Sequence, residues 1–172
     1  VMKEHSRLKV QMDLEHARVA LFERHYDVVF SAIEHSFAPS TVTVKRVYSL
    51  ERGVFASPAL MMQYPDVTSP EHLIELPLLA GAEDTSWPFT APNGDVHAVE
   101  MRNPRLRSGN AGVRLQAAIE GLGVARITAT FCEAAVQAGR LVRLLPGWPC
   151  EPLKIYALLP GRKLVPAKVR VF

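Results

Sequence analysis

The stretch Asp27-Val28-Val29-Phe30-Ser31-Ala32-Ile33 constrains the fold more than any other part of the chain. It is apolar on nearly every residue and too short for a buried helix. Such a run reads as a strand covered on both faces, central in its sheet. Upstream, Leu8, Val10 and Met12 alternate with Lys9, Gln11 and Asp13, the pattern of a half-buried strand. Between the two, Arg18–Tyr26 places Val19, Phe22 and Tyr26 on one helical stripe. A strand, a helix and a second strand in that order predict a βαβ unit, and hence parallel pairing.

The rest of the chain continues the alternation. Thr41–Tyr48 and Gly53–Ala56 read as strands. Ser57-Pro58 opens a helix, with serine as N-cap and proline at the first helical position, and Tyr64-Pro65-Asp66 closes it. Ser69-Pro70-Glu71 repeats the start signal. Pro92-Asn93-Gly94-Asp95 lies between apolar runs within Trp87–Met101, which predicts a hairpin. Ser108–Leu122 reads as a helix ending at Gly121 and Gly123. Val124–Ile127 is a short strand. Thr130-Phe131-Cys132-Glu133 has the form of a capping box for a helix reaching Ala138, with Gly139 as its stop. Leu141–Leu145 and Leu153–Leu159 are strands around Pro146-Gly147-Trp148-Pro149, and Pro166 opens a last helix.

Composition excludes several classes. Of 172 residues 48% are hydrophobic and 22% charged, so a packed core is attainable and disorder is not expected. No apolar run nears the roughly 20 residues of a membrane span. The net charge of +3 is scattered, with loose groupings at Arg102–Arg107 and Lys163–Arg170, so a nucleic-acid surface is not indicated. Cys132 and Cys150 form no metal-ligand spacing, and two thiols suit a reducing cytoplasm. The six histidines lie too far apart for a local zinc motif. Nucleophile elbow, Walker loop and dinucleotide fingerprint are all missing. Ser57, in Ala-Ser-Pro, reads as a cap rather than a nucleophile, and Asp27 and Glu34 as flanks of a strand rather than a catalytic pair. The expectation is no enzyme, no metal and no cofactor.

Several segments in order carry a family likeness. Gly121-Leu122-Gly123-Val124-Ala125, Ala138-Gly139-Arg140-Leu141-Val142-Arg143-Leu144-Leu145-Pro146, Leu153–Ala157 and Leu164–Arg170 resemble the C-terminal half of LysR-type transcription regulators. Tyr26–Phe30, Val54–Ala59 and Arg105–Asn110 fall in the expected order before them, and Trp87-Pro88-Phe89 ahead of Asn93-Gly94 resembles a branch with a W-x-F hairpin. The resemblance covers nearly the whole chain. It departs from the family at Thr128, where proline is usual, and at Gly109-Asn110, where an Asn-Asp pair is usual. Relative to the family, the first strand of the sensing domain, its following loop and the helix-turn-helix domain would precede Val1.

The resemblance implies an α/β fold of the type II periplasmic-binding-protein kind, two lobes with mixed sheets about a central cleft. Lobe I would hold residues 1–52 and 152–172, and lobe II residues 53–151. It implies an effector-sensing domain that binds a small metabolite between the lobes, acts as a homodimer or homotetramer, and meets DNA only through the N-terminal domain, in the cytoplasm and away from any membrane. A transport receptor of the same fold is the alternative, distinguished by a secretion signal upstream. In open α/β sheets ligands gather beyond strand C-terminal ends and at helix N-termini. That places the expected ligand contacts at Ser31, Ile33, Ser108, Gly109, Asn110, Thr128 and Phe131. Arg126, two residues before Thr128, faces either the cleft or solvent on this reading.

Overall fold

A computed structural model describes residues 2–13, 26–32, 42–160 and 169. The chain divides into two compact units, one of Val1–Ser49 with Lys154–Phe172 and one of Leu50–Leu153. The elements run β1 (Val29–Ala32), β2 (Val42–Leu50), β3 (Arg52–Ala56), α1 (Pro58–Met61), a 3-10 helix (Pro70–Glu75) and β4 (Leu78–Ala80). They continue with β5 (Ser86–Thr90), β6 (Val96–Glu100), β7 (Leu106–Arg107), α2 (Ala111–Ile119), β8 (Val124–Thr128), α3 (Ala129–Gln137), β9 (Val142–Leu144) and β10 (Leu153–Pro160).

In the first unit, β1, β10 and β2 form a sheet in that order. β1 pairs antiparallel with β10, Val29 opposite Leu158 and Ala32 opposite Ile155. This corrects two expectations. β1 is an edge strand among the described residues, and its exposure alternates, with Phe30 at 49%. A run of apolar residues is buried on both faces only if layers cover both, and Phe30 stays half exposed. Leu8–Asp13, for its part, has no strand structure. Met12 is 79% exposed, so its alternation has no covered face to serve. The parallel βαβ unit is therefore not seen. The helix expected at Arg18–Tyr26 and the one opened by Pro166 lie almost wholly outside the described residues.

The second unit is built on a five-stranded sheet ordered β7-β4-β8-β3-β9. β4 runs parallel to both β7 and β8, while β3 is antiparallel to β8 and to β9. Alternation along the strands feeds two cores. Val54, Ala56, Leu78, Ala80, Val124 and Leu144 pack on one face with Trp87, Phe89, Val99 and Leu73. Phe55, Leu79, Ala125 and Ile127 pack on the other with Ala117, Ala118, Cys132 and Ala135 of α2 and α3. The W-x-F residues are thus core, both fully buried. They sit on the hairpin β5–β6, in register from Ser86 opposite Glu100 to Thr90 opposite Val96.

Local chemistry sets most boundaries. The Ser57 hydroxyl accepts from the Leu60 N–H and caps α1, as its sequence predicts. Ser69 caps the 3-10 helix, with His72 closing the reciprocal half of the box. Gly123 admits no side chain, because a Cβ there would stand 2.3 Å from the Pro77 carbonyl oxygen. That carbonyl accepts from the Val124 N–H at 2.8 Å, which brings β8 against the start of β4. Two helix starts differ from their expected places, and α2 begins at Ala111, three residues after Ser108. α3 begins directly after β8 with Thr128 as N-cap, and Thr130 lies inside the first turn. The Ala129 N–H, the first of α3, donates to the Glu51 carbonyl at 2.9 Å, so the adjoining chain takes one of the donors that a helix start leaves without an intrahelical partner.

Candidate functional site

Because β4, β7 and β8 are parallel, their C-terminal ends share one edge of the second unit's sheet. Each gives way there to a different connection. β4 runs into the loop Gly81–Asp84, β7 into Ser108–Asn110 ahead of α2, and β8 into α3. The start of β3 lies at the same edge, Arg52 opposite Thr128. Two helix N-termini and a loop between them therefore converge. Such a place collects ligand contacts in α/β folds, because free backbone N–H groups and the positive ends of helix dipoles point outward together.

Five of the seven residues expected from the sequence meet here. Asn110 is the N-cap of α2, its amide oxygen accepting from Gly112 N–H at 2.8 Å and Val113 N–H at 3.4 Å. The Ser108 hydroxyl oxygen accepts from the Asn110 N–H at 3.2 Å. These acceptors serve the turn, and what each side chain offers outward is a donor: the hydroxyl hydrogen of Ser108 and the amide NH2 of Asn110. Gly109 is exposed. Thr128 is half-buried and its hydroxyl makes no capping bond to α3. Phe131, one turn into α3, is 51% exposed. Ser31 belongs to the other unit, on β1, and is half-buried. Ile33 lies outside the described residues.

No motif in the chain points to what lies behind this edge. Arg126 does not face solvent. It is buried in the hairpin-side core, its Nη2 3.0 Å from Asp84 Oδ1, with both side chains under 10% exposed. The guanidinium carbon stands 5.8 Å from the Trp87 ring centre, within cation–π range. The other carboxylate oxygen of Asp84 accepts from Trp87 Nε1 at 2.7 Å and from the Gly81 N–H at 2.8 Å. Burial alone pushes this carboxyl up. The Arg126 charge, the Trp87 and Gly81 donors and the Arg114 charge together outweigh that and hold it below the usual aspartate value. Arg107 completes the arrangement, its Nη1 donating to the carbonyls of Asp84 at 2.8 Å and Gly81 at 3.2 Å.

Nothing at this edge forms a nucleophile–base pair. Among the described residues no group of three or more His, Cys, Asp or Glu side chains could hold a metal ion. Both cysteines are buried and reduced, and burial raises both thiols, Cys132 to about 11. No described helix is long and apolar enough to cross a membrane.

A mixed five-stranded sheet with helices on one face and a hairpin on the other is the architecture of the type II periplasmic-binding-protein class. The LysR substrate binding domain model matches residues 1–172, and the chain belongs to that family of transcription-regulator domains. Among curated proteins it is similar to the HTH-type transcriptional regulator PtxR of Pseudomonas aeruginosa, 27% identical over 134 residues, 77% of this chain and 43% of that protein. The chain thus spans less than half the length of the curated regulator. Among solved structures it resembles the regulatory domain of AphB from Vibrio vulnificus, with 25% identity and a TM-score of 0.78 over 99% of this chain and 83% of that one. The regulatory domain of CrgA from Neisseria meningitidis shares the fold at a TM-score of 0.79 and 18% identity, again over 99% of this chain and 83% of that one.

Proposed function

We propose that this domain is the effector sensor of a DNA-binding transcription regulator, and that its small-molecule effector binds at the edge where α2 and α3 begin. The observation that carries the reading is the convergence of two helix N-termini at the ends of parallel strands, with the polar side chains of Ser108, Asn110 and Thr128 beside them. Phe131 offers an exposed ring to an apolar part of the ligand. The same reading takes Ser31 and Ile33 as further ligand contacts and treats residues 1–52 with 152–172 and residues 53–151 as the two lobes of the sensor. Effector binding shifts the balance between lobe arrangements and so repositions the DNA-binding segments of the whole regulator. The regulator works in the cytoplasm as a homodimer or homotetramer, and DNA contact falls to a separate N-terminal domain.

The donors favour a ligand bearing a carboxylate or another oxygen acceptor. The test is a thermal-shift screen of small carboxylic acids against the domain, followed by titration calorimetry of any hit against Ser108→Ala and Thr128→Val. Each lost hydrogen bond should weaken binding by about 0.5–1.5 kcal/mol. A hit whose affinity is unchanged in both folded variants binds elsewhere, and the proposed edge is then wrong.

A further inference from the structure

Three arginines from three different elements close on one short loop. Arg107 ends β7, Arg114 lies on α2, and Arg126 lies on β8. Their common target is Gly81–Asp84, the loop that leaves β4, and β4 is the strand between β7 and β8. Arg107 grips the loop's backbone carbonyls, and Arg126 pairs with its buried carboxylate. Arg114 passes so close to Gly81 that a Cβ there would stand 2.7 Å from its Nη1. The loop's own backbone is drawn in as well, because the Gly81 N–H and the Trp87 indole both donate to Asp84.

The two helix starts hang from this loop. Arg107 immediately precedes Ser108, whose N–H donates to the Ala80 carbonyl at 3.0 Å. Arg126 stands two residues before Thr128, the N-cap of α3. β7 and β8 are not neighbours in the sheet, and besides the packing of α2 and α3 on it, β4 with its exit loop is the link between their ends. The residue types fit that task. A guanidinium can hold several carbonyls at once in a fixed plane, and a buried ion pair resists being pulled apart.

We propose that the Gly81–Asp84 loop is a shared anchor that couples the N-termini of α2 and α3, with Asp84 and Arg107 as its positioning residues. The significance of the coupling rests on the proposed effector edge: a ligand touching Ser108–Asn110 would be felt at Thr128–Phe131 even without reaching them. The loop, on this reading, determines how far apart the two sets of donors stand.

The test needs no effector, so it stands apart from the effector reading. Amide hydrogen exchange is followed by mass spectrometry in the wild type, Arg107→Ala, Arg107→Lys and Asp84→Asn, all in the full chain. Arg107 is exposed, so its replacement leaves the core intact. Arg107→Ala should speed exchange about tenfold at Ser108–Val113 and also at Ala129–Cys132, with Ala138–Leu141 and the hairpin turn at Gly94 unchanged. Arg107→Lys, which reaches fewer carbonyls, should fall between. Asp84→Asn should loosen both stretches if it folds. Faster exchange at Ser108–Val113 alone, or no local change in Arg107→Ala, would overturn the coupling. If the coupling appears and no carboxylate ligand is found, the anchor stands and the effector reading fails.

Discussion

Replacing Asp84 with alanine tests the buried core of the second unit most directly. The substitution removes the counter-charge of Arg126 and the acceptor used by both Trp87 Nε1 and the Gly81 N–H. Arg126, with a side chain 4% exposed, would keep a charge with its carboxylate partner gone from a largely apolar core. Breaking such a pair from one side costs about 3–5 kcal/mol, while replacing both partners by apolar groups is often nearly neutral. Trp87 and Trp148 both lie in the Leu50–Leu153 unit, so indole fluorescence reports that unit alone. With an m-value of about 2 kcal/mol/M for a domain of this size, the urea midpoint should fall by about 1.5–2.5 M. Asp84→Ala combined with Arg126→Met should regain most of that loss. A single-variant shift under about 0.5 M, or a double variant less stable than either single one, would refute the reading of Asp84–Arg126 as a coupled buried pair.

The pair also fixes a pH dependence. The folded-state pKa of Asp84 is lowered relative to the unfolded chain, so its contribution is fully present above the unfolded value, about 3.9, and is lost as pH falls through the folded value. The stability gap between wild type and Asp84→Asn, read by urea midpoints, should shrink as pH drops below about 4; a gap that widens there would contradict the lowered pKa. Gly123→Ala should cost about 3 kcal/mol in urea denaturation, because the added Cβ meets the Pro77 carbonyl in the backbone itself. Gly139→Ala, with φ of +67° and nothing within 4 Å, should cost only about 1 kcal/mol from backbone conformation; equal costs at the two sites would undo the distinction. Cys132, its thiol raised to about 11, should hold about one part in a thousand as thiolate at pH 8 and react with a thiol reagent only after urea unfolding; fast labelling in the native protein would contradict its burial.

Local signals carried much of the second unit. Ser57-Pro58, Ser69-Pro70 and Asn93-Gly94 each set a backbone geometry through their own atoms, and each lies where its chemistry predicts. Asn110, an expected ligand contact, is the cap of α2, because the same short amide serves both roles and sequence spacing does not separate them. Thr130 fits a capping box in isolation, yet the helix starts two residues earlier. At that start the Ala129 N–H donates to the Glu51 carbonyl, from a segment far away in the chain. The exposure of β1 has a similar cause. Whether Val28-Val29-Phe30 is covered depends on what packs over it, and apolar character alone does not supply a cover.

Arg126 shows where this kind of reading must fail. In Val124-Ala125-Arg126-Ile127-Thr128 the alternation gives the arginine to one face of the sheet and Ala125 and Ile127 to the other. A charged residue in an apolar strand then marks the outer face by default, since arginine is almost never buried without a partner. Its partner is 42 residues away, on a loop whose sequence, Gly81-Ala82-Glu83-Asp84, contains two acidic residues and nothing to choose between them. The choice is made in space: Trp87 Nε1 and the Gly81 N–H both need an acceptor, and only a carboxylate positioned as Asp84 is can serve them while also balancing Arg126. Three demands on one side chain make Asp84 hard to replace, although each demand, seen alone, is an ordinary hydrogen bond. That convergence is what gives the strand ends beside it a fixed geometry. It is also why the residues expected to affect effector binding should not be limited to those that touch the effector.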